Sequence, residues 1–390
     1  MAMMRNSRAC AVLATMTLAL SVAACGSSSS NNNKTTGSAS QTGGNAAGGS
    51  GVDVAGAQAF IDKYKAAPQT LGLPPLSKKP PAGKYLITLE TPQPVASQKD
   101  DAIAKAAAVL GWKYERIQLG SDAEAAPKAF AAALERHPDA VHFSGTPAVL
   151  VAKQLQQAKA QGVIAISDSN TDTAAPPVIS TSLDSTAQVS AWGQMAGAYI
   201  VATTQKKTRV AIFTIEAYPI LTAWTSAVSD TLKKYCSSCQ VDVINQQISD
   251  LGQKTPGAVV STLQKSSDTK WVAFAFGDMT IGVSAALRAA GLQNKVKITG
   301  DTPSAANLQA IRDGTEEMWP AFPTSILGWR VVDMLARHYV GDDLMPANNA
   351  LMPTQILTHD TIGQAVFDDQ GIYVGFKDYQ DQFKTLWKVS

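Results

Sequence analysis

Histidine is scarce in this chain of 390 residues. His137, His142, His338 and His359 are scattered and offer no pair tight enough to complete a zinc site. There is no G-x-S-x-G elbow, no H-E-x-x-H pair and no phosphate-cradling glycine loop, so the common hydrolase, metalloprotease and nucleotide signatures are missing. Charge excess is missing too. Lys and Arg total 33 and Asp and Glu total 31, so neither nucleic acid nor a cationic partner is called for. No run reaches the roughly 20 apolar residues of a membrane-spanning helix. Cysteine is limited to four, Cys10, Cys25, Cys236 and Cys239.

What is present begins at the amino terminus. Arg5 and Arg8 precede an uncharged stretch from Ala9 to Ala24, 16 residues long. A basic head, a short apolar run and small residues before a break read as a secretory signal peptide. Val22-Ala23-Ala24-Cys25 resembles the bacterial lipobox, in which the cysteine after the cut receives lipid. Cleavage there removes two of the 33 cations and leaves 31 against 31. Residues 26–51 are mostly Gly, Ser, Asn, Thr and Gln with little to bury, a flexible tether of roughly 25–30 Å root-mean-square span. Cys236-Ser-Ser-Cys239 fits a redox or zinc half-site in the cytosol, but a disulfide is the default beyond the membrane.

From Lys84 onward the chain alternates. KYLITLE, WKYERIQL, AVHFSG and VIAISDSN read as short apolar strands, with helical segments between them. In the second of these segments, Ser121 and Glu124 have the spacing of a capping box. The alternation restarts with RVAIFTI, QVDVINQQI, KWVAFAF and KVKITG. Strands that are apolar throughout and separated by helices imply parallel sheets covered on both faces. The expectation is α/β: two doubly wound, Rossmann-like lobes with a hinge and a ligand cleft at the carboxyl ends of the strands.

The order of these elements resembles the type I periplasmic binding proteins, in the ribose- and galactose-binding branch. DAVHFSGTPAVLVAKQLQQAKAQGVIAISDSN, AFGDMTIGVSAALRAAGLQNKVKITGDTP and FPTSILGWRVVDMLAR carry the likeness. The resemblance implies a lipid-anchored, extracytoplasmic receptor that needs no cofactor or metal. It would act as a monomer, close on a small solute and deliver it to an ABC permease. A sensor of the same fold and a secreted hydrolase are the alternatives. The expected divisions are 1–24 signal, 25–52 lipidated cysteine and tether, and 53–83 helix and Pro-rich lead-in. The N-terminal lobe follows at 84–180 and the C-terminal lobe at 181–321. Residues 322–358 return to the first lobe, and 359–390 form a tail across the hinge.

Candidate ligand contacts follow from strand ends and aromatics: Glu90, Gln93, Phe143, Ser144, Thr146, Asp168, Asn170, Tyr218, Trp224, Asp278, Asp301, Trp319 and Phe322. Asp168 and Asp301 are expected to present one carboxylate from each lobe, with Tyr218 and Trp319 covering an apolar ligand face. Asp278 has a second reading, as cap of a helix starting near Thr280. The family's sugar-reading Arg, Asn and Gln are replaced at the matching positions by Ser169, Gly277 and Ala321, which argues against a ribose-like ligand.

Overall fold

The computed structural model describes residues 51–389, apart from 121 and 123. The signal segment, Cys25, residues 26–50 of the tether and Ser121 of the expected capping box lie outside the described residues, while Gly51, the tether's last residue, accepts from Ser237 N–H at 2.9 Å. The helix downstream of Ser121 starts at Ala125 with Glu124 in the N-cap position, so Glu124 does not serve as the third helical residue of that box.

The described chain opens with α1 (Val54–Ile61), an extended Pro-rich segment and then β1 (Tyr85–Glu90). Next come α2 (Pro94–Val109), β2 (Lys113–Gln118), α3 (Ala125–Leu134), β3 (Ala140–Ser144), α4 (Ala152–Gln161) and β4 (Ile164–Asp168). The four strands form one parallel sheet in the order β2-β1-β3-β4. β1 is buried from Leu86 through Glu90, as a parallel strand covered on both faces must be.

α5 (Thr186–Thr204) leads into the second lobe. It is followed by β5 (Arg209–Thr214), α6 (Pro219–Tyr235), β6 (Gln240–Asn245), α7 (Thr255–Lys265), β7 (Thr269–Phe274) and α8 (Val283–Ala289). β8 (Lys297–Gly300), α9 (Ala305–Arg312) and β9 (Met318–Pro320) complete that run. The chain then forms α10 (Thr324–Val340), α11 (Met345–Asn349), β10 (Ile356–Thr358) and α12 (Tyr379–Trp387). The second sheet has the order β10-β9-β8-β7-β5-β6 and is parallel except for β10, which runs against β9. The expected return segment 322–358 is therefore divided. Its helix α10 packs on α2 of the first lobe, while its last strand joins the second sheet.

Residues 169–185 make one passage between the lobes, and their end runs beside β4 through bridges Ala165 to Val178 and Asp168 to Leu183. Residues 321–323 and 350–355 make two more. The ends of the described chain add their own links. α1 packs on α5 and α6 of the second lobe, next to the turn where Cys236 and Cys239 are joined. The Pro-rich segment then runs along α12, with Leu76 N–H donating to Leu386 O at 3.0 Å. Arg337 of α10 ties these pieces together. Its guanidinium donates to Asp333 at 2.7 Å and to Pro74 O at 2.7 Å, and the Trp387 indole donates to Asp333 at 2.8 Å.

One close approach decides where α2 sits. A Cβ added at Gly328 of α10 would lie 2.5 Å from the Lys99 carbonyl oxygen and 2.7 Å from Ala102 Cβ. Glycine at this position lets the helices touch backbone to backbone. Gly328→Ala should therefore destabilise the protein by about 1–3 kcal/mol through overpacking. A urea titration would measure this, and an unchanged midpoint would show that the helices separate freely.

Candidate functional site

The carboxyl ends of the two sheets face each other across a cavity of about 140 Å³ that opens to solvent. Residues just past β1, β3 and β4 form one wall, among them Thr91, Gln93, Ser144 and Ser169, joined by Lys99 from α2. Tyr218, Phe276 and Asp301, which follow β5, β7 and β8, form the other wall with Ile220, Leu221 and Ile248. The passages between the lobes supply the back through Asp184 and Phe322, joined by Leu327 of α10. The lining is thus largely apolar, with polar groups placed singly, which is the usual make-up of a small-molecule site.

A buried ion pair underlies the first wall. Lys99 Nζ lies 3.0 and 2.8 Å from the two carboxylate oxygens of Asp168, and both residues are buried. His142 Nε2 is 3.1 Å from Asp168, its Nδ1 is 3.2 Å from Thr88 Oγ1, and Ser144 Oγ also donates to Asp168. Burial alone would raise the Asp168 pKa. The charge of Lys99 and the His142 contact outweigh it and hold the carboxyl well below the usual range. The same pairing raises Lys99 against its own desolvation.

Two other acids have no such partner. Asp184 accepts from Ser169 Oγ at 2.6 Å through one oxygen, and its other oxygen has no partner among the described residues. Burial, with Asp168 adding to it, raises its pKa to about 7. Asp301 is 2% exposed and also leaves one oxygen unpartnered. Burial and then the charge of Asp184 push it far above the ordinary value.

Of the residues expected from sequence, the cavity brings together Gln93, Ser144, Tyr218, Asp301 and Phe322. Thr146 lines a neighbouring pocket that shares Thr91, Gln93, Ser144 and Tyr218 with the cavity. The others are placed elsewhere. Asp168 is sealed beneath the wall by Lys99 and His142. Glu90 is buried under Ser97 and Arg116, the latter at 3.2 Å. Phe143 packs on Phe130 in the first lobe's core, with ring centres 5.7 Å apart. Asn170 ties its loop to the one after β3, donating to Thr146 O at 2.8 Å and accepting from Asp172 N–H at 2.8 Å. Trp224 is fully buried where α6 meets α5. Trp319 is fully buried with its indole donating to Glu316 at 2.7 Å, so it does not cover a ligand face.

Asp278 does not cap a helix at Thr280, because the next helix starts at Val283 after Gly282. Burial raises the Asp278 pKa to about 6, against the opposing pull of the nearby backbone N–H of Val95, near the start of α2 in the opposite lobe. Gly277 stands where the family has Asn for a local reason. A Cβ there would lie 2.3 Å from Asn307 Oδ1 and 2.6 Å from Ser304 N.

Lys99 and Asp184 were missed by sequence reasoning. Lys99 did carry a signal, since it and Asp100 fall on the apolar stripe Ala96, Ile103, Ala106 and Ala107 of α2. A charge on such a stripe needs a partner. Asp184 carried none beyond its place just before α5.

The pKa of Asp184 has a consequence for stability. Between roughly pH 4 and pH 7 the unfolded chain has released this proton while the folded chain keeps it, so folding loses stability as pH rises through that window. Asp184→Asn removes the penalty. The variant should match the parent near pH 4 and exceed it at pH 8 by up to about 4 kcal/mol. Denaturant unfolding at the two pH values measures this, and a variant less stable than the parent at pH 8 would refute the reading.

Among the described residues no helix is long and apolar enough to cross a membrane, and no cluster of His, Cys, Asp or Glu is suited to a metal ion. No curated protein matches the chain. Solved structures do. An ABC sugar transporter subunit from Rhodobacter sphaeroides is 18% identical, with a TM-score of 0.63, covering 72% of this chain and 99% of its own. A periplasmic ribose ABC transporter protein from Conexibacter woesei is 16% identical with a TM-score of 0.60, covering 73% and 95%. An Agrobacterium vitis solute-binding protein bound with α-D-tagatopyranose is 14% identical with a TM-score of 0.62, covering 75% and 99%. These likenesses establish the type I periplasmic binding protein fold. Residues 87–343, well over half of the sequence, match the family described as "Periplasmic binding protein domain", and the chain belongs to that family.

Proposed function

We propose that this chain is the solute-binding component of an ABC importer. It captures a small organic solute between its lobes outside the cytoplasm and hands it to a membrane permease. The observation that carries this reading is the cavity itself, which is lined from both lobes and from the passages between them. A ligand there touches both walls only when they are close together, so it favours that state by its extra contacts. The sugar-binding neighbours support a small polar solute. The apolar lining adds a ligand with a hydrophobic body.

A thermal-shift screen of sugars, polyols, amino acids and amines tests this. A true ligand raises the unfolding temperature with concentration, by mass action on the folded state. Phe276→Ala should weaken that ligand by roughly 5- to 150-fold, as removal of a buried contact worth about 1–3 kcal/mol would. An affinity that ignores Phe276 and Tyr218 variants would place binding elsewhere.

The reading includes a lipid anchor on Cys25, at the end of an apolar run and before a polar tether. Two or more acyl chains make a stable anchor where one is marginal. Cys25→Ser should release the protein from the membrane fraction or block its processing. Wild-type protein free in the medium, with an amino terminus other than Cys25, would overturn the anchor.

A further inference from the structure

The inference that follows rests on the solute-receptor reading and names the ligand's chemical class. The cavity is short of positive charge. Lys99 is the only cation among the described residues that line it, and both oxygens of Asp168 already hold its ammonium. Two further carboxylates line the same space, and neither forms an ion pair; Lys99, already held by Asp168, acts on Asp184 only at a distance. Asp184 stands at the passage between the lobes, and Asp301 at the carboxyl end of β8. Both are more than nine-tenths buried, and each has an oxygen without a partner. They are close enough for one charge to act on the other. A buried acceptor left unpaired costs on the order of 1–3 kcal/mol, and more if it is charged.

We propose that the cleft takes an organic cation: a primary amine on a compact apolar body, with its ammonium held between Asp184 and Asp301. The donor count favours this over a polyol. An ammonium offers three donors and no acceptor, which suits two unpartnered carboxylate oxygens. Sugar hydroxyls also need donors from the protein, and among the described residues Gln93 is the only side-chain amide that lines the cavity, with no Arg, Asn or His beside it. Tyr218, Phe276 and Phe322 then cover the apolar body.

The proposal carries a proton balance. In the empty site burial favours the neutral acids, with Asp168, Lys99 and Asp301 facing Asp184, and Asp184 facing Asp301. A bound ammonium favours their ionised forms, and each carboxyl that ionises gives one proton to the solvent. Amine binding should therefore tighten as pH rises from 6 to 8, where the ligand stays cationic and Asp184 ionises more easily.

The test is calorimetry on the full chain with benzylamine and cyclohexylamine against the neutral isosteres benzyl alcohol and cyclohexanol, and against D-ribose and D-tagatose. At pH 7.5 an amine should bind at least roughly tenfold tighter than its alcohol, as a charged hydrogen bond predicts. Its heat should vary with the buffer's ionisation enthalpy, reporting proton release. Asp301→Asn should reduce the preference to within about threefold, and Asp184→Asn should weaken the pH dependence as well. Unfolding of each ligand-free variant separates lost binding from lost folding. If D-ribose, D-tagatose or an alcohol binds as tightly as the amines, the cation proposal fails and the receptor reading stands. If nothing in either set binds, both fail. An amine preference that survives Asp301→Asn and Asp184→Asn also overturns the assignment.

Discussion

Asp168 is a carboxylate with no access to water, and the first lobe is organised around keeping it paired. Its three partners come from two elements: Lys99 from α2, and His142 and Ser144 from β3. Removing one partner of a buried ion pair typically costs about 3–5 kcal/mol, because the survivor is left charged in a poor medium. The contact therefore ties α2 to the ends of β3 and β4. Gly328 lets α10 close down on the other side of α2. With α2 held from both sides, the first wall of the cleft is a fixed surface. Its one cation is neutralised, and the acids on the hinge and the opposite wall are left unbalanced.

The fold was legible because its signals are local. Parallel strands buried on both faces are apolar through most of their length, with polar residues mainly at their ends, and β1, β3, β5 and β7 show this in the sequence. The breaks between lobes fell where the alternation paused. β10 was harder, since three residues beside β9 carry no periodicity of their own and gain strand structure only by pairing. The capping box at Ser121 and Glu124 was read from spacing alone, but the helix begins later and leaves Glu124 at its cap position.

The candidate site was less legible because its roles are set by neighbours distant in sequence. Asp168 and Asp301 both end strands and look alike in the chain. Lys99, 69 residues away from Asp168, gives the first a structural task. Asp301 has no basic partner. The same applies to Trp319, whose indole N–H finds Glu316 inside the second lobe. An aromatic at a strand end signals burial, and only the partner of its polar atom tells a core residue from a ligand contact. Lys99 was the exception that sequence could have yielded, since a charge on an apolar helical stripe demands an explanation.

These charges also bear on how the lobes hold together. Asp278 lies near the N–H of Val95 at the start of α2, where the helix dipole favours negative charge. Yet one of its oxygens stays unpartnered, and burial raises its pKa. Asp184 and Asp301 meet the same cost in the same space. Bringing the walls together around an empty cavity thus removes three carboxyls from water with incomplete compensation. A ligand can shift such an equilibrium only by what it adds in one state and not in the other. Donors supplied to Asp184 and Asp301 are additions of that kind, because the two acids come from the hinge and the far wall and share a partner only when the lobes are close. Unbalanced acids in the cleft weaken the empty closed form, and the same acids make closure depend on what fills it.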